Sequence, residues 1–299
     1  MKYSYSVLLA VFPLAVCAAP SAAATCSQAY EAGNFVDAVS AAESALQHSP
    51  GQREELLCLG RAQGARGNHA AAVEALQSAA KVSASPLDTA VDLFLLGNEQ
   101  MSAKDYQSAM SAYRQSLALA RGEKNPRLAW ASLNQLGAAY QAAGDAAAAL
   151  DHYQQGLALA ANDNERGDSY ARIAAAQSLL GNHDKAIEYQ IKAVLMEERS
   201  GDLDHYAHAN IELGRICLAA GEYRDAEKWL NRFIEVIVLN DNPYWEAQAR
   251  HLMGKLKNAQ GNHAAAAEQF EKSRTLAEKA GNEHLLKEIT QAATATSPM

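Results

Sequence analysis

A short turn recurs at nearly regular intervals along the chain, and this repeat constrains the fold more than any other feature. The turn positions are Gly33, Gly67, Lys104, Gly144, Gly181, Gly221 and Gly261, so successive units are 34 to 40 residues long. A period of this length indicates a stack of similar supersecondary units, because one unit cannot bury its own apolar face. Seven units fill almost the whole of the 299-residue chain.

Small residues stand at two fixed offsets from each turn. Seven residues before it are Cys26, Gly60, Gly97, Gly137, Ala174, Gly214 and Gly254. Five residues after it are Ala38, Ala72, Ala109, Ala149, Ala186, Ala226 and Ala266. A glycine inside a helix costs about 1 kcal/mol relative to alanine, so its recurrence needs a packing reason. We predict helical hairpins in which the two small positions face each other and let the backbones approach closely.

Larger apolar residues accompany the small ones at helical spacing. Directly before the first small position stand Leu59, Leu96, Leu136, Ile173, Leu213 and Met253. Nine residues after the turn stand Leu76, Tyr113, Tyr153, Leu230 and Phe270, a series that Ala42 and Gln190 interrupt. Such spacing places the apolar residues on one face of each helix, which favours an all-α fold.

The pattern resembles the tetratricopeptide repeat (TPR) family. The fourth unit shows the family signature most completely, in Leu136-Gly137, Tyr140, Gly144-Asp145, Ala149 and Tyr153. The resemblance implies a right-handed α-solenoid of about seven helix-turn-helix units over residues 25–281, with the first helix of each unit on the concave side. The 40-residue units are similar to those of kinesin light chain. Residues 282–299 would supply a capping helix, expected at 284–292, and a disordered tail.

The first 24 residues differ from the rest and read as a secretory signal. Lys2 precedes a short apolar run, and Ala22 and Ala24 fit the small-x-small cleavage rule, which predicts a mature start at Thr25. We therefore expect an exported protein, periplasmic or extracellular. The run ending in Cys17 also resembles a bacterial lipobox, although Val16 stands where a small residue is usual; lipidation would make the protein a lipid-anchored envelope assembly factor.

Cleavage after Ala24 would leave three cysteines, Cys26, Cys58 and Cys217. Cys26 and Cys58 lie on the first helices of adjacent units, and an oxidising compartment allows a disulfide between them. Such a bridge would close a loop of about 30 residues and stabilise the fold by about 3 to 4 kcal/mol in the entropic model. The alternative is two small buried apolar residues. Cys217 occupies a core position and is expected to be inert.

Composition and motifs limit the function. The net charge of −8, which becomes −9 when Lys2 is removed with the signal, makes a nucleic-acid partner unfavourable. The mature chain has no segment apolar enough to be a transmembrane helix. Phosphate-binding loops, nucleophile elbows and paired-histidine zinc motifs are absent from the sequence, so we expect no cofactor, no metal and no enzymatic activity. A minor alternative is a metal-dependent or hydrolytic site formed by His205, His208, Glu212 and His251.

The expected function is therefore a scaffold or adaptor whose concave groove binds a peptide segment or a partner protein. By the pattern of the family, outward-facing groove positions hold Asn98, Asn134, Arg172, Arg215 and Lys255. Amides can bind the backbone of an extended peptide, and guanidinium groups can bind its carboxylates. The five residues would form a positive strip that selects acidic segments. The alternative is an ordinary solvated helix face with pairs such as Asp168–Arg172.

Overall fold

The structure is a computed structural model that describes residues 24–295 of the chain. Within these residues the chain forms fifteen α-helices and no strand, in agreement with the predicted all-α fold. The helices are α1 (Cys26–Glu31), α2 (Phe35–His48), α3 (Arg53–Ala65), α4 (His69–Val82), α5 (Pro86–Ser102), α6 (Tyr106–Gly122), α7 (Pro126–Ala142), α8 (Ala146–Leu157), α9 (Asp163–Leu179), α10 (His183–Ser200), α11 (Leu203–Ala220), α12 (Tyr223–Leu239), α13 (Pro243–Ala259), α14 (His263–Lys279) and α15 (Glu283–Ala295).

Helices α1 to α14 form seven hairpins that stack in chain order, which confirms the predicted solenoid of seven units. Each helix packs against the helix before it and the helix after it. The odd-numbered helices, which are the first helices of the units, also contact one another at α1–α3, α5–α7, α7–α9 and α11–α13. The odd-numbered helices therefore form one wall of the right-handed solenoid, which is closed least at α3–α5 and at α9–α11, and the even-numbered helices form the other.

Each hairpin turns at a residue in the left-handed backbone region. Six of the seven turn positions are glycines with φ between 75° and 90°, a conformation that glycine adopts without a steric penalty. Lys104 takes the same conformation with φ 60° although it carries a side chain. The turn position identified in the sequence is therefore the same in all seven units, including the one that lacks glycine.

The helical glycines make room for a large neighbouring side chain. A Cβ atom at Gly137 would lie 2.5 Å from Cε1 of Tyr153, and a Cβ atom at Gly97 would lie 2.5 Å from Cε1 of Tyr113. A Cβ atom at Gly60 would lie closest to Leu76, and one at Gly254 closest to Phe270. At Gly214 the nearest side chains are those of Leu252 and Leu230. A Cβ atom at Gly60 would also lie 3.3 Å from the backbone oxygen of Ala72, so the predicted approach of the two small positions is present there, together with the large side chain above the glycine.

The two units that lack a glycine at this position support the same rule. Cys26 and Ala174 carry a Cβ atom there, and the residues nine places after their turns are Ala42 and Gln190 in place of a leucine or an aromatic residue. Gln190 is buried, and its Nε2 donates to the backbone oxygen of Ala209 at 2.8 Å. When the residue nine places after the turn is alanine or the unbranched glutamine, the glycine position can hold a residue with a Cβ atom.

A buried ion pair joins the second and third units. Asp92 on α5 is fully buried, and its two carboxylate oxygens accept hydrogen bonds from Arg53 Nε at 2.8 Å and from Arg53 Nη2 at 2.6 Å. The hydroxyl of Ser83 donates to the same carboxylate. A bidentate guanidinium–carboxylate pair fixes the relative orientation of its two helices more strictly than apolar contact does.

Helix α15 covers the end of the stack, as predicted for a capping helix. Leu285 and Ile289 are buried against the core residues Phe270 and Ala277 of α14. The helix extends to Ala295, so the tail expected to be disordered from residue 293 is helical over 293–295. Within residues 24–295, no helix is both long enough and apolar enough to cross a membrane.

Residues 1–23 and 296–299 lie outside the described part of the chain. The predicted signal peptide, except for Ala24, and the lipobox cysteine Cys17 belong to the first of these segments. Both therefore stay predictions.

Candidate functional site

We call the wall formed by the odd-numbered helices the inner wall. It opens into a cavity of about 960 Å³ between α9 and α11. Helices α9 and α11 pack less closely on each other than α7 on α9 or α11 on α13, so α10 forms the floor between them. Residues of α7, α9 and α11 line the sides, and Gln190, Ala193 and Glu197 of α10 line the floor. The cavity lies on the first-helix wall, the side on which the sequence analysis placed the groove.

Small residues on α9 keep the cavity open. Gly167, Ala171 and Ala175 line it at successive turns of that helix. Trp130 of α7 closes the side next to them, and its indole Nε1 donates to Ser169 Oγ at 3.1 Å. The cavity is therefore bounded by a fixed aromatic ring on one side and by small side chains on the other.

A buried carboxylate, Glu197, lies on the floor of the cavity. Glu197 is only 5% exposed, and its carboxylate lies over Gly167, where any Cβ atom would overlap it. Its Oε2 accepts a hydrogen bond from Ser200 Oγ at 3.3 Å and lies 3.9 Å from Nδ1 of His205. Burial raises the pKa of Glu197, because the charged form loses hydration that its neighbours replace only in part.

The two arginines predicted to bind a ligand line the cavity but are already paired. Arg172 Nε donates to Asp168 Oδ2 at 2.8 Å, and the guanidinium lies 6.0 Å from the centre of the Tyr153 ring. Arg215 pairs with Glu212 on the same helix. Each pair consists of residues three or four positions apart, which is the alternative that the sequence analysis left open. Each of these two guanidinium groups is therefore accompanied by a carboxylate of its own helix.

The other three predicted groove residues lie outside this cavity. Asn134 is only 3% exposed and faces Gly156 of α8, and neither polar atom of its amide has a hydrogen-bond partner in the described part of the chain. Asn98 is half-buried and accepts from the hydroxyl of Tyr113 at 2.8 Å. Lys255 is exposed on α13, away from the cavity. The prediction for Asn134 is wrong because the position ten residues before the turn points toward the second helix of the unit.

The positions that face the cavity lie thirteen, nine and six residues before the turn. On α9 these are Asp168, Arg172 and Ala175, and on α11 they are His208, Glu212 and Arg215. The predicted groove residues Arg172 and Arg215 hold the last two of these positions, and the first continues the same helix face by one more turn. Glu197 was missed because it comes from a second helix, and no sequence offset marks where a second helix reaches the inner wall.

The four residues considered for a metal site do not come together. His205, His208 and Glu212 line the cavity. His251 is buried elsewhere, with its ring centre 5.6 Å from that of Phe270 and with Nε2 3.9 Å from Glu288 Oε2. Burial lowers the pKa of His251 to about 4. Among the described side chains of residues 24–291, no group of three or more His, Cys, Asp or Glu could hold a metal ion.

Two of the three described cysteines lie at the first hairpins, far along the chain from the cavity, and the third, Cys217, lies in the core on α11. Cys26 and Cys58 are joined as a disulfide between α1 and α3, with their Cα atoms 6.2 Å apart, inside the usual range for such a bond. Cys217 is a buried free thiol whose pKa is raised to about 11 by burial. A thiol with so high a pKa is a poor nucleophile at neutral pH.

Comparison with known proteins agrees with this architecture. Two family models described as "Tetratricopeptide repeat" match residues 165–237 and 93–123, and the first of these segments contains most of the cavity. No curated protein sequence matches the chain.

Several solved structures share the fold at low sequence identity. A Signal Transduction ATPase with Numerous Domains (STAND) protein with a tetratricopeptide repeat sensor, from Pyrococcus horikoshii, aligns at TM-score 0.67 and 17% identity, over 88% of this chain and 43% of that one. A tetratricopeptide repeat protein from Parabacteroides merdae aligns at 0.60 and 18%, over 89% and 94%. Kinesin light chain-like repeats from Podosopora anserina align at 0.58 and 19%, over 67% and 100%. The chain therefore contains segments that match tetratricopeptide repeat models, and it shares the stacked-hairpin fold of tetratricopeptide repeat proteins.

Proposed function

We propose that this protein is an exported, non-enzymatic adaptor that binds an extended segment of a partner protein in the cavity between α9 and α11. The observation that carries the proposal is the cavity itself, a concave site of about 960 Å³ on the inner wall. Sites of this volume can bury several side chains of a bound ligand.

The chemistry of the lining supports a polypeptide ligand. Gln141 and Asn164 present side-chain amides at the edge of the cavity, and an amide can both donate to and accept from a peptide backbone. Gln141 accepts from Tyr153 Oη at 3.4 Å through its oxygen, so its amino group stays available as a donor. Trp130 and the small residues of α9 add apolar surface for side chains. A mixture of a few polar anchors with apolar surface is typical of peptide recognition.

Export is proposed from the sequence of residues 1–24 and is supported by the Cys26–Cys58 disulfide. Structural disulfides persist in oxidising compartments such as the bacterial periplasm and are rare in the cytosol. Mass spectrometry of the protein from its native host tests this part. A mature chain beginning at Thr25 supports a soluble exported protein, an acylated Cys17 supports the lipid-anchored alternative, and an intact Met1 contradicts export.

Groove binding is tested by site-specific photo-cross-linking in the native host. A photoreactive residue at Ala175, inside the cavity, should give an adduct with a partner, whereas one at Ala147, exposed on α8, should not. The variant Ala219→Trp, which fills the cavity from α11, should abolish the Ala175 adduct at an unchanged melting temperature. Adducts from Ala147 alone, or an Ala175 adduct that persists in Ala219→Trp, would place the binding surface elsewhere.

A further inference from the structure

We infer that the cavity selects a segment carrying a lysine or an arginine, and that the cation of this side chain pairs with Glu197 on the cavity floor. This inference rests on the proposed function, because it names the ligand chemistry of the same cavity. It reverses the preference for acidic segments that the sequence analysis predicted.

Glu197 is the carboxylate of the cavity that lacks a fixed cationic partner. Its Oε1 has no hydrogen-bond partner among the described residues, and its Oε2 has only the hydroxyl of Ser200. The basic group nearest to it is the ring of His205, which lies 3.9 Å from Oε2 and whose side chain is 54% exposed. A buried charge is normally paired, since burial removes the hydration that stabilises it. Oε1 is not a fully buried atom, so a cation that enters the cavity can reach it and pair with it.

The other carboxylates of the lining already have partners. Asp168 is bonded to Arg172, and Glu212 is bonded to Arg215. Glu165 accepts the backbone N–H of Ala161 at 2.7 Å. A cationic side chain entering the cavity thus finds one acceptor that is neither neutralised by an arginine nor engaged by the backbone.

The net charge of the lining favours a cation as well. Four carboxylates line the cavity, those of Glu165, Asp168, Glu197 and Glu212, against three guanidinium groups, those of Arg127, Arg172 and Arg215. Close packing of apolar walls around an unpaired charge focuses its field on the open side. The long aliphatic stem of a lysine or arginine would lie along Trp130 and Ala171, while its charged end reaches the floor.

The absence of Cβ at Gly167 fits this arrangement. Any side chain at that position would overlap the Glu197 carboxylate and force it away from its present place over α9. The helix nevertheless carries the cost of an interior glycine, which is a poorer helix former than alanine. Glu197 also raises the energy of the unliganded protein, because a buried charge with incomplete compensation is unfavourable. Both costs are explained if the carboxylate is needed for binding.

The experiment titrates the purified full chain with capped octapeptide libraries. The libraries are random except at a central position, which is fixed as lysine, arginine, norleucine or glutamate, and binding is followed by fluorescence anisotropy. Loss of a hydrogen bond to a charged group raises Kd at least about tenfold. The lysine and arginine libraries should therefore bind at least about tenfold more tightly than the norleucine library. The glutamate library should bind most weakly.

Two variants identify the carboxylate responsible. Glu197→Gln should remove the preference for lysine and arginine while the melting temperature stays equal or rises. Glu198→Gln is the matched control, since this exposed neighbour on the same helix pairs with Arg232 at 3.6 Å and does not line the cavity. It should keep the full preference.

The outcomes separate the two proposals. Binding of all libraries with equal affinity, or a cation preference that persists in Glu197→Gln, would overturn this inference and leave groove binding intact. A preference for glutamate would overturn it in favour of the acidic ligand that the sequence analysis predicted. Absence of binding by every library would contradict both the inference and the proposed function.

Discussion

The packing of Tyr153 over Gly137 gives a quantitative test of how these hairpins are held together. In Gly137→Ala, the new Cβ atom would lie 2.5 Å from Cε1 of Tyr153, well inside the contact distance of two carbon atoms. Tyr153 is buried, so its ring cannot move into solvent. Overpacking of this kind costs about 1 to 3 kcal/mol, whereas alanine gains about 1 kcal/mol of helix propensity over glycine. We expect a net loss of about 1 kcal/mol or somewhat more.

Gly122 is the matched control. It is the last residue of α6 and has no atom within 4 Å of the position that a Cβ would take. In Gly122→Ala only the propensity term remains, so the variant should be as stable as the parent or slightly more stable. Since a chain of this size shifts by about 2 to 4 °C per kcal/mol, differential scanning calorimetry should show a lower melting temperature for Gly137→Ala alone.

The second helix supplies a further check. Replacing Tyr153 by glutamine and Gly137 by alanine together reproduces the Ala174–Gln190 combination of the fifth unit. In a Tyr153→Gln background, Gly137→Ala should cost nothing, and the difference between the two backgrounds is the coupling energy of the contact. Equal stability changes for Gly137→Ala and Gly122→Ala, or no coupling to position 153, would refute the packing rule proposed for the repeat.

Three other predictions follow from buried groups. Non-reducing peptide mass spectrometry of the exported protein should find Cys26 linked to Cys58 and Cys217 free; alkylation of all three without reductant would refute the bridge. Asp92→Ala should lower the free energy of unfolding by about 2 kcal/mol in urea titrations, since it removes the bidentate partner of Arg53 and leaves that guanidinium only the more exposed carboxylates of Glu54 and Asp88; a loss below about 1 kcal/mol would contradict this account. Because the folded pKa of His251 is about 4 and the unfolded value is 6.5, its contribution to stability is complete above pH 6.5 and declines as the pH falls toward 4. Between pH 7 and pH 5 the parent should therefore lose about 2 kcal/mol more than His251→Leu, and equal losses would show that the histidine is not buried in its neutral form.

The sequence determined the repeat, its turns and its core to a large extent. All seven turn positions adopt the left-handed conformation, and the residues five places after them are buried without exception. The large side chain above the helical glycines was not predicted, although the sequence contains the clue. The units in which Cys26 and Ala174 replace glycine are those in which Ala42 and Gln190 replace the large residue, and such paired exceptions indicate a contact.

The candidate site was less accessible to sequence reasoning because it depends on the distance between repeats. The offsets are nearly the same in every unit, but the cavity forms only where α9 and α11 separate and expose α10. A repeat pattern predicts the average geometry of a unit and carries no information about one wider gap between two units. Glu197 lies at that gap, on a helix that the pattern assigns to the outer layer.

The arginines of the cavity distinguish the two ligand preferences most directly. If the inner wall selected acidic segments, removal of Arg215 would weaken binding. In the structure Arg215 is paired with Glu212 and its side chain is 54% exposed, so Arg215→Ala should change stability by less than about 1 kcal/mol. The substitution leaves the lining with one more uncompensated carboxylate, and the added attraction for a cation is worth about 0.5 kcal/mol at such an exposed position. We therefore expect Arg215→Ala to bind the lysine library about twofold more tightly than the parent, with an effect that fades as salt screens the charges. Weaker binding in this variant would show that the guanidinium contacts the ligand, and that the positive strip predicted from the sequence operates in spite of the ion pair.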